Sequence, residues 1–212
     1  MALKNLAVIR EAAAQVAAAA VHVVDSYATA RIEQEPEFTG RMLGAIEERL
    51  RDFTTKGVRW RAKTLTDHGT GAQEKQYGAD FAGVLEIDLP TYKLSKGFLA
   101  QAKRVEPGMT FRADEFHRLR DQCRLMLDLS PASYVFLYSR RDIVVVPATA
   151  VVAVTHVVNP HAFYSRGVAR FYEEHFESFI GDPRINAPHI DALAGLREQY
   201  NARSALRIEA TQ

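Results

Sequence analysis

The sequence predicts an α/β protein with a central mixed β-sheet flanked by helices and a long helix at its N-terminal end. Three observations support this class. Two stretches near the N-terminus have the residue types and apolar spacing of helices. Several later stretches alternate polar and apolar residues, as strands do. One amphipathic helical stretch interrupts these strands, which indicates a sheet covered by helices.

The N-terminal region is predicted to form two helices. Residues 3–33 contain no Gly or Pro and many alanines, the residue with the highest helix propensity, so we expect one long helix. Pro36 ends that run and is tolerated in the first turn of a second helix, over about residues 37–53. We therefore divide the chain into an Ala-rich helical extension, residues 1–35, and an α/β domain, residues 36–212.

The predicted sheet begins at residues 58–66, where apolar and basic side chains alternate. Residues 80–89 and 97–105 are predicted to form a hairpin with a turn between them. Residues 111–129 have apolar side chains at helical spacing and are predicted to form an amphipathic helix. The other predicted elements are two short strands at 134–139 and 143–146, two helices at 169–180 and 190–200, and an edge strand at 205–208.

Charge and composition narrow the class of protein. The chain has 27 Lys and Arg against 26 Asp and Glu, so a nucleic-acid partner would need a local basic patch. Cys123 is the only cysteine, which excludes an intramolecular disulfide and favours a reducing compartment. The longest apolar stretch, residues 12–24, is shorter than the roughly 20 residues that span a bilayer. We expect a cytoplasmic protein without a membrane span.

Two short motifs predict chemistry at the hairpin. Residues 78–80 are Gly-Ala-Asp, and residues 101–103 are Gln-Ala-Lys. Gln101 and Lys103 point to the same face of a strand, and a hairpin can place Asp80 beside them. Carboxylate and amide oxygens are hard ligands for magnesium, and an ammonium group can orient water or stabilise charge on a phosphate. The motifs therefore predict a site for metal-assisted phosphodiester hydrolysis.

These motifs resemble the PD-(D/E)XK nuclease superfamily, the restriction-endonuclease-like proteins, in the variant of Mrr-like endonucleases in which Gln replaces the middle acid. The order of a helix, three strands, a helix and a further strand over about residues 36–146 is also similar. The resemblance implies cleavage of nucleic acid that depends on Mg2+ or Mn2+. We expect a DNA endonuclease of defence or repair, with RNA as the alternative substrate. The resemblance implies Asp80 and Gln101 as metal ligands and Lys103 as the catalytic cation. The family's proline is absent, and Gln101 adds no negative charge for the metal.

The resemblance also implies a glutamate from the helix that precedes the first strand. Glu37 best matches the family's position, near the start of that helix. The alternative is that Glu37 is a first-turn glutamate favoured by the helix dipole. Further glutamates in the same region are Glu35, Glu47, Glu48 and, in the following loop, Glu74.

Basic and polar side chains near the predicted cleft are expected to contact nucleic acid. Arg118 and Gln122 lie one turn apart on the amphipathic helix, which flanks the cleft in this fold. Together with Lys75 and Arg104 they are interpreted as contacts to the phosphate backbone. The alternative for Arg118 and Gln122 is a solvated helix face.

Two alternatives to a nuclease remain open from the sequence. The missing charge at Gln101 also fits a catalytically inactive nucleic-acid-binding or scaffolding module on the same fold. More simply, Asp80 could begin a strand, with Gln101 and Lys103 on the solvated face of an edge strand. The Ala-rich helix has more apolar surface than a small core covers, so we also expect it to pack against a second copy or a partner protein.

Overall fold

The structure is a computed structural model that describes residues 2–29, 35–66 and 78–212. Its helices are α1 (Ala2–Ala28), α2 (Glu35–Leu50), α3 (Ala113–Leu129), α4 (Ala148–Ala153), α5 (Val168–Phe176) and α6 (Ala192–Gln199), with a 3-10 turn at Pro160–Ala162. Its strands are β1 (Thr54–Thr55), β2 (Val58–Thr66), β3 (Ala79–Leu89), β4 (Tyr92–Arg104), β5 (Ser133–Tyr138), β6 (Ile143–Pro147), β7 (Arg166–Gly167) and β8 (Ala202–Thr211).

The strands in the described residues form one eight-stranded sheet in the order β1-β2-β8-β3-β4-β5-β6-β7. The pairs β3–β8 and β4–β5 are parallel, and the other neighbours are antiparallel. Helices cover both faces. The predicted α/β class, with a mixed sheet, flanking helices and an N-terminal helix, is confirmed.

The prediction of an edge strand at 205–208 was wrong, because β8 lies inside the sheet. It pairs with β2 from Thr66↔Ser204 to Arg59↔Thr211 and with β3 from Ala79↔Ala202 to Asp88↔Thr211. Its alternate residues bury apolar side chains on both faces, with Leu206 on one and Ala205 on the other. Two buried faces are typical of an interior strand. As a result, the strand at 58–66 and the strand that carries Asp80 are not neighbours.

The predicted hairpin is confirmed as β3 and β4, but its returning strand begins earlier than expected. The chain reverses at Pro90 and Thr91, and pairing starts at Leu89↔Tyr92. The two strands approach closely where Gly83 faces Phe98. A Cβ atom at Gly83 would lie 2.5 Å from the Phe98 ring, so this position requires glycine.

The two faces of the sheet bury separate apolar clusters. One cluster contains α1, α2 and α5, and we call that side the α1 face. The other contains α3, α4 and α6, and we call it the α3 face. In β4, Phe98, Ala100 and Ala102 pack on the α1 face, whereas Leu99 packs on the α3 face. The alternation of the strand therefore directs Gln101 and Lys103 to the α3 face.

Helix α1 buries one side against α2 and α5 in the same apolar cluster as the sheet. Of its larger apolar side chains that the structure describes, Val21 is the exposed one, at 51%. By length and composition, Leu6–Ala28 qualifies as a helix that could cross a membrane, and 56% of its most apolar window is buried. The core helix of a soluble protein and a signal sequence near the N-terminus both have this length and composition. Packing of α1 against a second copy stays a prediction.

Candidate functional site

Asp80 lies at the start of β3, opposite Gln101. The antiparallel register pairs Phe81 with Ala100, so the next pair toward the end of the sheet is Asp80 with Gln101. The Oδ2 atom of the half-buried Asp80 accepts a hydrogen bond of 2.8 Å from the backbone N–H of Ala102. The Asp80 carboxylate is therefore held against β4 by a hydrogen bond from the β4 backbone.

Gln101 carries a polar group buried in the sheet. It is 2% exposed, and its Oε1 atom accepts no hydrogen bond from any residue that the structure describes. A buried oxygen without a donor costs about 1–3 kcal/mol, so such groups in native proteins call for an explanation. Its strand pairing puts the Gln101 side chain on the same face as that of Asp80, with Cβ atoms about 5 Å apart. The carboxylate and the amide therefore project from neighbouring positions on one face of the sheet.

Lys103 is half-buried on the same face, two residues beyond Gln101. Its ammonium group lies near Cys123 of α3. Burial raises the pKa of the Cys123 thiol to about 12, and the charge of Lys103 opposes that rise. Cys123 is therefore a protonated, buried thiol, and Lys103 extends from the sheet along α3.

A cleft of about 240 Å³ opens where β4 ends and α3 begins. Its walls contain four residues that the sequence predicts as site residues, two of them on β4 and two on α3. The lining residues are Lys103, Arg104, Phe111, Glu115, Arg118 and Gln122. Arg118 also pairs with Asp114 at 3.4 Å, so three cations and two carboxylates lie at the cleft. The small excess of positive charge suits an anion.

Helix α3 presents the polar side of this cleft because its apolar residues fix its orientation. Phe116, Leu119, Cys123 and Met126 are buried against the sheet. Arg118 and Gln122 each precede a residue of that stripe by one position, so they lie on its flank. Glu115 is held by the start of the helix, where its carboxylate accepts the backbone N–H of Arg112 at 3.1 Å.

The structure does not bring Glu37 to these residues. Helix α2 packs on the α1 face, whereas Asp80, Gln101 and Lys103 belong to the α3 face. The exposed Glu37 carboxylate instead accepts a hydrogen bond of 2.7 Å from Arg41, one turn later on α2.

Two other glutamates of α2 form ion pairs with basic side chains. Glu47 pairs with Lys63 at 3.1 Å, and Glu48 pairs with Arg51. Lys75 and Glu74 lie outside the described residues.

Arg203 of β8 is a site residue that the sequence analysis missed. The parallel register pairs Ala79 with Ala202 and Phe81 with Ser204, so Arg203 lies directly beside Asp80. It is half-buried, and within the described residues its guanidinium forms no ion pair. One row across the sheet thus contains Arg203, Asp80 and Gln101. No local pattern marks Arg203, because its position depends on pairing between strands more than 100 residues apart.

The donor set fits a hard divalent cation that keeps most of its water ligands. Asp80 and Gln101 supply one carboxylate and one amide oxygen, and Mg2+ is commonly bound by one or two protein oxygens together with water or phosphate. Within residues 2–29, 35–66 and 78–212, no group of three or more His, Cys, Asp and Glu side chains is placed to hold a metal.

Comparisons of the chain with models of protein families, with curated proteins and with solved structures each found no match.

Proposed function

We propose that the protein is a divalent-metal-dependent nuclease of the PD-(D/E)XK type that hydrolyses phosphodiester bonds in DNA, with a role in defence or repair. The observation that supports this proposal is the grouping of Asp80, Gln101 and Lys103 on one face at the end of the sheet, beside a cationic cleft. In this proposal α2, β2, β3, β4, α3 and β5 make up the restriction-endonuclease-like core, and β8 is inserted between its first two strands.

Each residue has a distinct role in the proposed reaction. Asp80 and the buried Oε1 of Gln101 would hold Mg2+ or Mn2+, which explains why that oxygen is left without a donor. The metal, when bound, would act as a Lewis acid at the phosphate. The Lys103 ammonium would orient the attacking water or stabilise charge on the phosphate, and Arg104, Arg118 and Gln122 would hold neighbouring phosphates.

A plasmid-nicking assay with Asp80→Ala tests the proposal. The wild type should nick DNA with Mg2+ or Mn2+ and lose this activity in EDTA, and Asp80→Ala should lose it at all metal concentrations. Asp88→Ala is the matched control, since Asp88 lies on the same strand but is exposed at its other end. Circular dichroism checks the fold of both variants. Metal-dependent nicking by Asp80→Ala at the wild-type rate would refute the metal site, and a parallel assay with RNA compares the two substrates.

A second candidate function is an inactive nucleic-acid-binding or scaffolding module on the same fold. Asp80 supplies the one carboxylate in the Arg203–Asp80–Gln101 row, and this carboxylate already accepts a hydrogen bond from the Ala102 N–H. A single carboxylate that is already hydrogen-bonded favours this function, because it is a weaker metal site. This function predicts that the wild type binds DNA but does not nick it with either metal.

A further inference from the structure

The turn between β5 and β6, residues 139–142, is held in a fixed conformation. Ser139 is completely buried, and its N–H donates to the carbonyl of Asp142 at 3.0 Å. Its Oγ accepts the backbone N–H groups of Arg141 and Asp142 at 3.2 and 3.1 Å. The same hydroxyl lies 2.9 Å from the Asp142 carboxylate, to which it can donate. The turn is therefore a rigid platform for the two arginines between Ser139 and Asp142.

This turn lies at the same end of the sheet as the cleft. The backbone N–H of Arg140 donates to both carboxylate oxygens of Glu106, at 3.2 and 3.1 Å. Glu106 follows Arg104 by two residues, and the intervening Val105 N–H donates to the carbonyl of Tyr138 at 3.0 Å. The ends of β4 and β5 thus bring the turn to the same end of the sheet as Arg104.

Arg140 and Arg141 are exposed, and in the part of the chain that the structure describes neither guanidinium forms an ion pair. Other arginines of the surface do, such as Arg124 with Asp121 at 2.8 Å and Arg170 with Glu173 at 2.8 Å. The acid in the turn itself, Asp142, already interacts with Ser139. The two carboxylates at the turn, Glu106 and Asp142, accept hydrogen bonds from the Arg140 N–H and the Ser139 hydroxyl. The two adjacent guanidinium groups are therefore available to an anion with more than one charge.

We propose that the Arg140–Arg141 turn is a second anchoring point for the polyanionic chain that enters the cleft, so the partner is a strand of several phosphates and not a mononucleotide. The cleft contacts one part of this chain and the turn contacts phosphates farther along it. The identification of the chain as nucleic acid rests on the proposed function. Because both contacts are to the backbone, they add affinity and set the path of the strand without reading its sequence.

The test is DNA binding measured without metal, by fluorescence anisotropy in EDTA over a series of salt concentrations. The probe is a labelled duplex of about 20 base pairs, and the variant is Arg140→Gln/Arg141→Gln. Each lost phosphate contact lowers the salt slope of the binding constant by about 1. The variant should therefore reduce the slope by about 1–2 and weaken binding by about tenfold near physiological salt.

The matched control is Arg59→Gln/Arg61→Gln. These two arginines are also exposed and, within the described residues, without an ion pair, but β2 places them at the opposite end of the sheet, where Arg59 pairs with Thr211. The control should leave the slope and affinity within about twofold of the wild type. A mononucleotide added as a competitor should displace the duplex from the two double variants to the same extent.

The outcomes separate this inference from the proposed function. Equal losses from both double variants would reflect net charge and overturn the inference, as would no loss from Arg140→Gln/Arg141→Gln. Metal-dependent nicking with unchanged binding by that variant contradicts the anchoring turn alone. Duplex binding that depends on the turn, without nicking, contradicts the nuclease alone. A wild type that binds no duplex overturns both.

Discussion

The two ends of the sheet each carry a cleft lined by charged residues, but they differ in the polar groups that surround the cleft. The cleft at the end opposite Asp80 is the larger, at about 500 Å³ against about 240 Å³. Its charged groups bond to one another and to the backbone. Asp88 pairs with Lys93 at 2.7 Å, and Glu86 accepts the N–H of Ala187 at 2.9 Å. Arg207 pairs with Glu209 and donates to the carbonyl of Ala187 at 2.7 Å.

At the Asp80 end, several polar groups lack a protein partner among the described residues. These groups are the Oε1 atom of Gln101 and the guanidinium groups of Arg140, Arg141 and Arg203. A charge that is paired internally stabilises the fold, whereas an unpaired group is available to a ligand. Exposed arginines without an ion pair among the described residues also occur at the other end, at Arg59 and Arg61. The proposed site at the Asp80 end therefore rests on the buried, unpaired oxygen of Gln101 and not on the size of a cleft.

The largest expected effect is loss of cleavage from a lysine at the Asp80 end. Lys103→Ala should reduce metal-dependent nicking by about 100-fold or more, because it removes the cation beside the reacting phosphate. Lys93→Ala removes a lysine of the same strand at the other end and should nick like the wild type. Equal nicking activity of the two variants would contradict the catalytic role of Lys103 at the Asp80 end.

Two arginines on β8 are expected to contribute differently to the stability of the fold. Arg207→Met should lower the free energy of unfolding by about 3 kcal/mol, because it leaves Glu209 and the carbonyls of Ala187 and Pro188 without their donor. Arg203→Met breaks no ion pair in the described residues and should cost under about 1 kcal/mol, yet weaken nicking about tenfold. Urea unfolding and the nicking assay measure both. A larger loss of stability at Arg203 would make it a structural residue.

Substitutions of Gln101 test whether its unpaired oxygen is a metal ligand. Gln101→Glu adds a negative charge beside Asp80 at nearly constant shape and should lower the half-maximal Mg2+ concentration about tenfold. Gln101→Ala should need more metal, with little loss of stability, since the oxygen it removes has no donor among the described residues. Glu86→Gln at the other end is the control. Identical Mg2+ titrations for the wild type and the two Gln101 variants, by calorimetry and nicking, would remove Gln101 from the site.

The smallest expected effect concerns Lys96, a buried group that lines neither of the two clefts. Lys96 is 3% exposed, its Nζ has no hydrogen-bond partner among the described residues, and burial lowers its pKa from 10.5 to about 8. The folded state therefore loses this proton at lower pH than the unfolded state. Lys96 makes stability rise with pH between about 8 and 10.5, and it adds no pH dependence below that window.

Thermal melting across pH 8–10.5 measures this contribution. The wild type should gain several degrees relative to Lys96→Met across the window, and the exposed Lys93→Met should follow the wild type. Parallel curves for Lys96→Met and the wild type would contradict the buried, unpaired state of Lys96. Lys96 lines neither of the two clefts, so its unpaired ammonium group is expected to lower stability without binding a ligand.

Much of the Asp80 site could be predicted from the sequence because it is built from local features. The hairpin follows from alternation on either side of a short turn, and one strand period puts Gln101 and Lys103 on one face. Helix α3 follows from its apolar stripe, which sets the positions of Arg118 and Gln122. These signals need only the spacing of residues within a segment.

The remaining parts depend on long-range pairing, which local spacing does not encode. The interior position of β8 is decided by which strands bury its two apolar faces, and Arg203 reaches Asp80 only through that register. Glu37 has the right place in the order of elements, but α2 packs on the other side of the sheet. In the sequence, Arg140 and Arg141 are two polar residues of a turn. The hydrogen bonds of Ser139 and Glu106 that fix this turn could not be predicted from the sequence.

The interior position of β8 has a consequence for how the protein is made on the ribosome. The β3–β4 hairpin and β5 can pair as soon as they emerge, but β2 and β3 each keep an open edge until residues 202–211 are synthesised. Unpaired strand edges invite wrong pairing and aggregation during this interval. The row that contains Asp80 is completed when Arg203 arrives, so a nascent chain carries the two sequence motifs well before it carries the whole site.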